Sequence, residues 1–192
     1  MIWEKQWELF APNFKNGKAH IDLTSYGCPE TLQLYPGPGF GDLSHPTTRI
    51  VLRLMKPYVK DHAVLDIGCG SGILSLAAAA MGASQVDGYD IDPEAASHAK
   101  KNATLSRFQK KIHFSTKPPK KIPSVLLMNM ISSEQAQAWS LIEDRILSSA
   151  ILITSGILEE NADEYLQWRI RQGWKMKKKV TEEDWTGFVL SQ

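Results

Sequence analysis

Only two cysteines, Cys28 and Cys69, occur in 192 residues, so no disulfide framework is available. The simplest expectation is a reducing compartment and a cytoplasmic chain. Long apolar runs are also missing. The most apolar stretch, residues 73–83, is too short to span a bilayer and reads as a core helix, so no membrane partner is expected. Glu4, Lys5 and Glu8 sit among the first aromatics, which predicts no signal peptide. A net charge of +1 supplies no global field that would steer the chain to nucleic acid. His20, His62, His98 and His113 are scattered without ligand spacing, so no metal site is expected, and these rings are assigned to surfaces or strand ends.

What is present is ordinary globular material: 43% hydrophobic and 22% charged residues, enough for one core with a sheet covered by helices. Residues 1–43 are mixed, with strands expected at 18–23 and 31–35 and then the turn-rich PGPGFG (36–41). Trp3 and Trp7 are spaced to share one helical face that packs onto the domain. Pro46 suits the first residue of a helix over 47–58, with Ser44 or His45 as its cap. Strands are predicted at 63–67, 85–89, 112–115, 125–129 and 150–154. They alternate with helices at 73–81, 93–105, 134–146 and 162–171. Two closing strands, 175–180 and 185–190, are joined by the polar turn TEED and read as antiparallel. Strand–helix alternation ending in a strand pair predicts an α/β fold with a mostly parallel sheet.

The most informative feature is AVLDIGCGSG (63–72) followed by VDGYDIDP (86–93). The apolar run Ala63, Val64 and Leu65 is a buried strand that enters a tight turn at Gly68, Gly70 and Gly72. Such a turn is expected to leave backbone N–H groups bare for a ligand. The next strand delivers Asp90 to the same sheet edge. The turn lacks the third glycine of a dinucleotide fingerprint and the Lys-Ser/Thr of a phosphate loop. No charged side chain in it would neutralise a pyrophosphate. A ligand with a ribose and a neutral-to-cationic remainder fits better, and S-adenosylmethionine meets that description. Glycines 68 and 70 admit the cofactor without a Cβ clash. Asp90 accepts from the ribose hydroxyls, and Asp66 orients the turn or binds the amino group. A turn carboxylate before a helix is the plainer alternative for Asp90.

These segments, VLDIGCGSGIL and GYDIDPEA, resemble the Rossmann-like S-adenosylmethionine-dependent methyltransferases. LQLYPGPGFG (32–41), SHPTT (44–48), MNMI (128–131), ITSGILEEN (153–161) and DWTGFVL (184–190) are most similar to the ribosomal protein lysine methyltransferases (PrmA-like). That resemblance implies a mostly parallel seven-stranded sheet with one antiparallel strand and helices on both faces. It divides the chain into an N-terminal extension and lid (1–43) and a methyltransferase domain (44–192). The family's N-terminal substrate-recognition domain has no counterpart here beyond a linker-like stub. By position, Phe40, Gly41 and Ser44 belong to the loop over the cofactor. Glycines 68, 70 and 72 line its methionine and ribose portion, Ile91 packs on the adenine, and Asn129 faces the transferring methyl as the catalytic residue. Trp185 stands near the site. Ser115 occupies the place of the family's adenine-binding acid.

The implied reaction is methyl transfer to an amine of a protein partner, with a ribosomal protein lysine as the family's acceptor. Transfer to RNA or a small molecule, and cofactor binding without catalysis, are the alternatives. A structural reading of Asn129 is that it satisfies loop backbone. Basic runs at 107–111, 117–121 and 175–179 read first as solvated faces. If they formed one patch, that patch would contact nucleic acid, as ribosomal RNA, or an acidic protein.

Overall fold

The computed structural model describes residues 3–11 and 13–192. Helix α1 (Trp3–Phe10) is followed by an antiparallel hairpin of β1 (Ala19–Asp22) and β2 (Thr31–Leu34). Then come α2 (Pro46–Val59), β3 (Ala63–Ile67), α3 (Ile73–Ala80), β4 (Gln85–Tyr89), α4 (Pro93–Ala103) and β5 (Ile112–Ser115). The chain continues through β6 (Val125–Asn129), α5 (Ser132–Ser140), β7 (Ile151–Leu158), α6 (Ala162–Arg171), β8 (Lys175–Glu182) and β9 (Trp185–Ser191).

The main sheet has seven strands in the order β5-β4-β3-β6-β7-β9-β8. Strands β3 to β7 pair in parallel, and β9 is antiparallel to both β7 and β8. The expected sheet with one antiparallel strand is therefore present. Its strands alternate faces because the side-chain period is two. Val64, Val125, Leu127, Ile153 and Val189 enter a core with α2, α3, α4 and the β1–β2 hairpin. Leu65, Ile67, Leu126, Met128, Leu152 and Phe188 face the opposite way, toward α5 and α6. The first of these cores runs without a break from Trp7 through Leu34 into α2.

Parallel pairing brings strand ends to one edge. Ile67 is opposite Tyr89 on β4 and opposite Met128 on β6. Gly68, Asp90 and Asn129 thus meet at the carboxyl edge, where chain order reverses direction between β3 and β6.

Several boundaries differ from the sequence expectation. Strand β7 runs on to Leu158 instead of ending at Thr154, because the pairing with β9 shifts between Thr154 and Ile157. Gly156 (φ +91°) absorbs that irregularity. Helix α5 ends at Ser140, and a short 3-10 turn, Glu143–Arg145, replaces its expected last turns. Arg145 stabilises that turn by donating to the carbonyls of Leu141 and Pro119, each at 2.6 Å. The basic runs cannot form one patch. The first two flank β5 at one edge of the sheet, and the third is β8 at the other edge.

Candidate functional site

A cavity of about 650 Å³ opens at the carboxyl edge, between the ends of β3, β4 and β6 and the helices α4 and α5. Its walls include Phe40, Gly68, Gly70, Asp90, Ile91 and Asn129. Those expected residues are brought together. The volume lies in the range that encloses a nucleoside-sized ligand.

Local chemistry explains the turn. Gly68, Gly70 and Gly72 all have positive φ (+69°, +54° and +82°), the left-handed region that a Cβ disfavours. A Cβ at Gly70 would lie 2.5 Å from the Phe40 carbonyl oxygen, and one at Gly68 would lie 2.1 Å from the Met130 methyl. Close approach of other protein groups is what excludes side chains here.

The expectation of bare amide donors fails. The N–H groups of Gly68 and Cys69 donate to the Tyr89 carbonyl at 2.8 and 3.1 Å. Ser71 donates to Phe40 O at 2.9 Å and Gly72 to Cys69 O at 2.8 Å. Gly70 donates to Asp90 Oδ2 at 2.9 Å. The turn satisfies its own donors by curling against the end of β4 and against residues 40–41, which a local reading of GCGSG cannot detect.

Asp90 faces the turn and the cavity. Its Oδ1 accepts from the Asp92 amide at 3.0 Å, and Asp92 in turn caps α4 by accepting from Glu94 N at 2.8 Å. Each carboxylate oxygen of Asp90 keeps a further lone pair for a ligand hydroxyl.

Other expected residues stand apart from the cavity. Asp66 is fully buried behind the turn, where it accepts from Ser75 Oγ at 2.6 Å and leaves Oδ1 without a partner. Burial raises its pKa to about 6, against the lowering by the Ser75 bonds, and the Asp90 charge adds to the rise. Gly72 packs against Phe114 and Ala99, beneath the turn. Gly41 is buried, and its carbonyl accepts from Ser71 Oγ at 2.6 Å. Ser44 is exposed and bonds Asp42 through both its N–H and its hydroxyl. Gly41 and Ser44 instead border a second hollow of about 400 Å³ between α1 and residues 37–45, with Trp3, Trp7 and Phe10 on its far side.

Asn129 ends β6 beside the cavity. Its Nδ2 lies 3.4 Å from Thr48 Oγ1, and its Oδ1 is buried without a partner. His45 caps α2, its Nδ1 lying 2.9 Å from Thr47 Oγ1. Burial lowers its pKa, with Arg49 adding to that effect. The rings of Phe40 and His45 meet edge-on at 5.4 Å, and those of His45 and Trp185 at 5.0 Å. Together they form an aromatic rim, with Trp185 where the closing hairpin was expected to put it. Ser115 contributes its carbonyl, which accepts from Asp90 N at 3.1 Å.

Sequence reasoning missed Met130, Gly156 and the α5 wall of Ile131, Ala138 and Leu141. MNMI and SGIL contain these residues, but nothing local says which of them turn inward. It also misplaced His98, which is buried and grips the loop before Phe40. Cys69 and Cys28 are buried free thiols, and desolvation raises the pKa of Cys69.

The sheet order with its reversed β9 and a cavity over the first crossover define a Rossmann-like methyltransferase fold. Residues 3–192 match the family model of the ribosomal protein L11 methyltransferase (PrmA), and the chain belongs to that family. The ribosomal protein L11 methyltransferase of Methylococcus capsulatus is 31% identical over 194 residues, covering 96% of this chain and 66% of that protein. The Thiobacillus denitrificans protein of the same name is 39% identical over 140 residues, covering 70% of this chain and 46% of its own length. The chain thus spans about half to two thirds of these relatives. A crystal structure of a ribosomal protein L11 methylase from Lactobacillus delbrueckii subsp. bulgaricus superposes with a TM-score of 0.75 at 24% identity, covering 97% of this chain and 92% of that one. An RNA methyltransferase from Salinibacter ruber, solved with S-adenosyl-L-homocysteine, shares the fold at a TM-score of 0.59 and 16% identity, over 73% of this chain and 88% of that one.

Proposed function

We propose that the chain binds S-adenosylmethionine in the large cavity and transfers its methyl group to an amine of a protein, with a ribosomal protein lysine as the acceptor. One observation carries this reading: Asp90 and Asn129 flank a single cavity on either side of the glycine turn. The names of the relatives support a ribosomal acceptor, and the reaction belongs in the cytoplasm.

The residues fit the cofactor. Asp90 offers its remaining lone pairs to the ribose hydroxyls, and Ile91 and Leu141 offer apolar surface to a base. Residues 38–40, from the 1–43 extension, act as the lid. Met130, whose methyl crowds Gly68, is a flexible side chain that yields when the ligand enters.

When bound, S-adenosylmethionine would supply an electrophilic methyl group on a sulfonium, which an acceptor amine's lone pair would take as the C–S pair returned to sulfur. The amine must arrive deprotonated, since an ammonium has no lone pair. Asn129 stands at the cavity wall, and its unpartnered Oδ1, covered in the empty site, would accept an amine N–H and aim that lone pair once the side chain turns toward the acceptor. Phe40, His45 and Trp185 exclude water from the approach.

The test is incubation with methyl-labelled cofactor and ribosomes lacking the modification. A labelled protein band that disappears with Asn129→Ala supports the reading. Label in RNA alone, or tight binding with no transfer to any acceptor, overturns the acceptor assignment.

A further inference from the structure

Residues 35–39, Tyr-Pro-Gly-Pro-Gly, form a strap between α4 and the glycine turn, and its end, Pro38–Phe40, is one wall of the large cavity. There is no room for a side chain at either of its glycines. A Cβ at Gly37 would lie 2.5 Å from the His98 ring, and one at Gly39 would lie 2.4 Å from the Gly70 backbone. Pro36 and Pro38 stiffen the strap and contribute no N–H. What holds it is two side chains one turn apart on α4.

Asn102, fully buried, accepts from Tyr35 N at 2.8 Å and donates through Nδ2 to Ser71 O at 2.8 Å. It ties strap and turn to the same helix. His98, 5% exposed, takes the Gly39 amide on Nδ1 at 3.1 Å, while its Nε2 lies 2.7 Å from Tyr35 O. A backbone N–H only donates, so Nδ1 must carry the lone pair. Nε2 then bears the proton and donates to the Tyr35 carbonyl, the shorter of its two contacts, while Asn102 Nδ2, a donor 3.2 Å away, makes no bond to it and donates to Ser71 O. One neutral tautomer satisfies both ends of the strap.

We propose that His98 and Asn102 are positioning residues for the cofactor site, latching the strap so that Phe40 and the glycine turn stay at the spacing the ligand requires. This rests on the reading of the cavity as the S-adenosylmethionine site. Neither residue lines the cavity, so they act through the strap.

Adding a proton at Nδ1 would set one N–H against another and break the Gly39 bond. From α4, the Lys101 ammonium opposes that proton; from the strap, the Tyr35 carbonyl favours it. From α1 the ring meets only neutral Trp7, edge-on at 5.9 Å. Burial is the largest influence and keeps the ring neutral below the usual imidazole range. The latch therefore holds at neutral pH and opens on acidification.

Glutamine can imitate this tautomer, accepting from Gly39 with its oxygen and donating to Tyr35 with its amide nitrogen. Leucine can do neither. The test is calorimetric titration of S-adenosylhomocysteine into wild type, His98→Gln and His98→Leu at pH 8 and through an acid series that extends past the titration of the His98 ring, with thermal unfolding to verify folding. Nitrogen-15 NMR of the His98 ring reports the tautomer. At pH 8 the Gln variant should bind within about threefold of wild type and the Leu variant about tenfold more weakly, the loss of two neutral hydrogen bonds. The acid weakening of wild type should be larger than that of the Gln variant. Equal binding by the Leu variant, a tenfold loss in a folded Gln variant, identical wild-type and Gln profiles across the pH at which NMR shows the ring gaining its second proton, or a proton on Nδ1 of the neutral ring would each overturn the latch while leaving the cofactor reading intact. Wild type that fails to bind would overturn the cofactor reading, and the latch's role with it. If the Leu variant does not fold, the Gln comparison and the NMR decide the matter.

Discussion

The Gly70 amide donates directly to Asp90 Oδ2 at 2.9 Å, so the first glycine turn and the end of the second strand of the parallel sheet are one hydrogen-bonded unit. Asp90 therefore shapes the site as well as offering acceptors to a ligand. The same carboxylate reaches Asp92 N, which starts α4. Removing it affects turn, helix and ligand together.

Asp90→Ala should weaken S-adenosylhomocysteine binding about tenfold to a hundredfold, the range for lost hydrogen bonds to a charged group. Asp90→Asn keeps one acceptor and should fall between. Calorimetry on folded protein measures both, and equal affinity in the Ala variant would remove Asp90 from the site.

Gly68→Ala should destabilise the fold by about 1–2 kcal/mol through its positive φ alone. The new Cβ also meets the Met130 methyl, 2.1 Å away before relaxation. Adding Met130→Ala should relieve that collision but not the backbone cost. Urea denaturation of the single and double variants separates the two contributions.

Asp66 should make stability depend on pH in the sense opposite to a salt-bridged acid. Its folded pKa is raised to about 6, above an unfolded value of about 3.9. The folded state binds more protons between these values, so stability from this group is lost as pH rises from about 4 to 6. The loss is about 3 kcal/mol and constant above that window. Asp66→Asn, which can still accept from Ser75, should exceed wild type at pH 8 and match it near pH 4. Urea unfolding at the two pH values checks the sign.

Gln135→Leu should cost about 2–4 kcal/mol. Gln135 is buried and donates to Met130 O at 2.8 Å and Ser155 O at 3.0 Å, pinning the chain just past Asn129. Its Oε1 accepts from Thr154 Oγ1, Tyr165 OH and Arg169 Nη2 at 3.0, 2.6 and 3.3 Å. Arg169 is fully buried among Trp139, Tyr165 and Trp168, and its hydrogen-bond partners are neutral. Losing the Gln135 oxygen leaves a cation less well satisfied. Arg169→Met, which removes the charge itself, should be the milder change. Thermal unfolding of both variants decides the order.

Much of the framework was legible locally. The strands at 63–67, 85–89, 112–115 and 125–129 fall where apolar runs and turn residues put them. Asp90 and Asn129 could be located because each directly follows or ends such a run. Strand β7 extends past the expected end at Thr154 through Ser155-Gly156, a pair with turn composition. Only pairing with β9 shows it to be an irregularity within a strand. Asp66 and Asp90 look alike in sequence, yet one is sealed behind the turn and the other borders the cavity.

Residue order alone determined the alternating elements, the glycine-bearing crossover and the carboxylate that follows the next strand, because these depend on spacings within a few turns. The folded molecule decided whether the turn's amides were free, and it consumed them. It also made His98 and Asn102 the clasp on a strap 59 and 67 positions away. Hydrogen-bond satisfaction in a packed interior is settled among distant segments, so no local pattern could have assigned those partners.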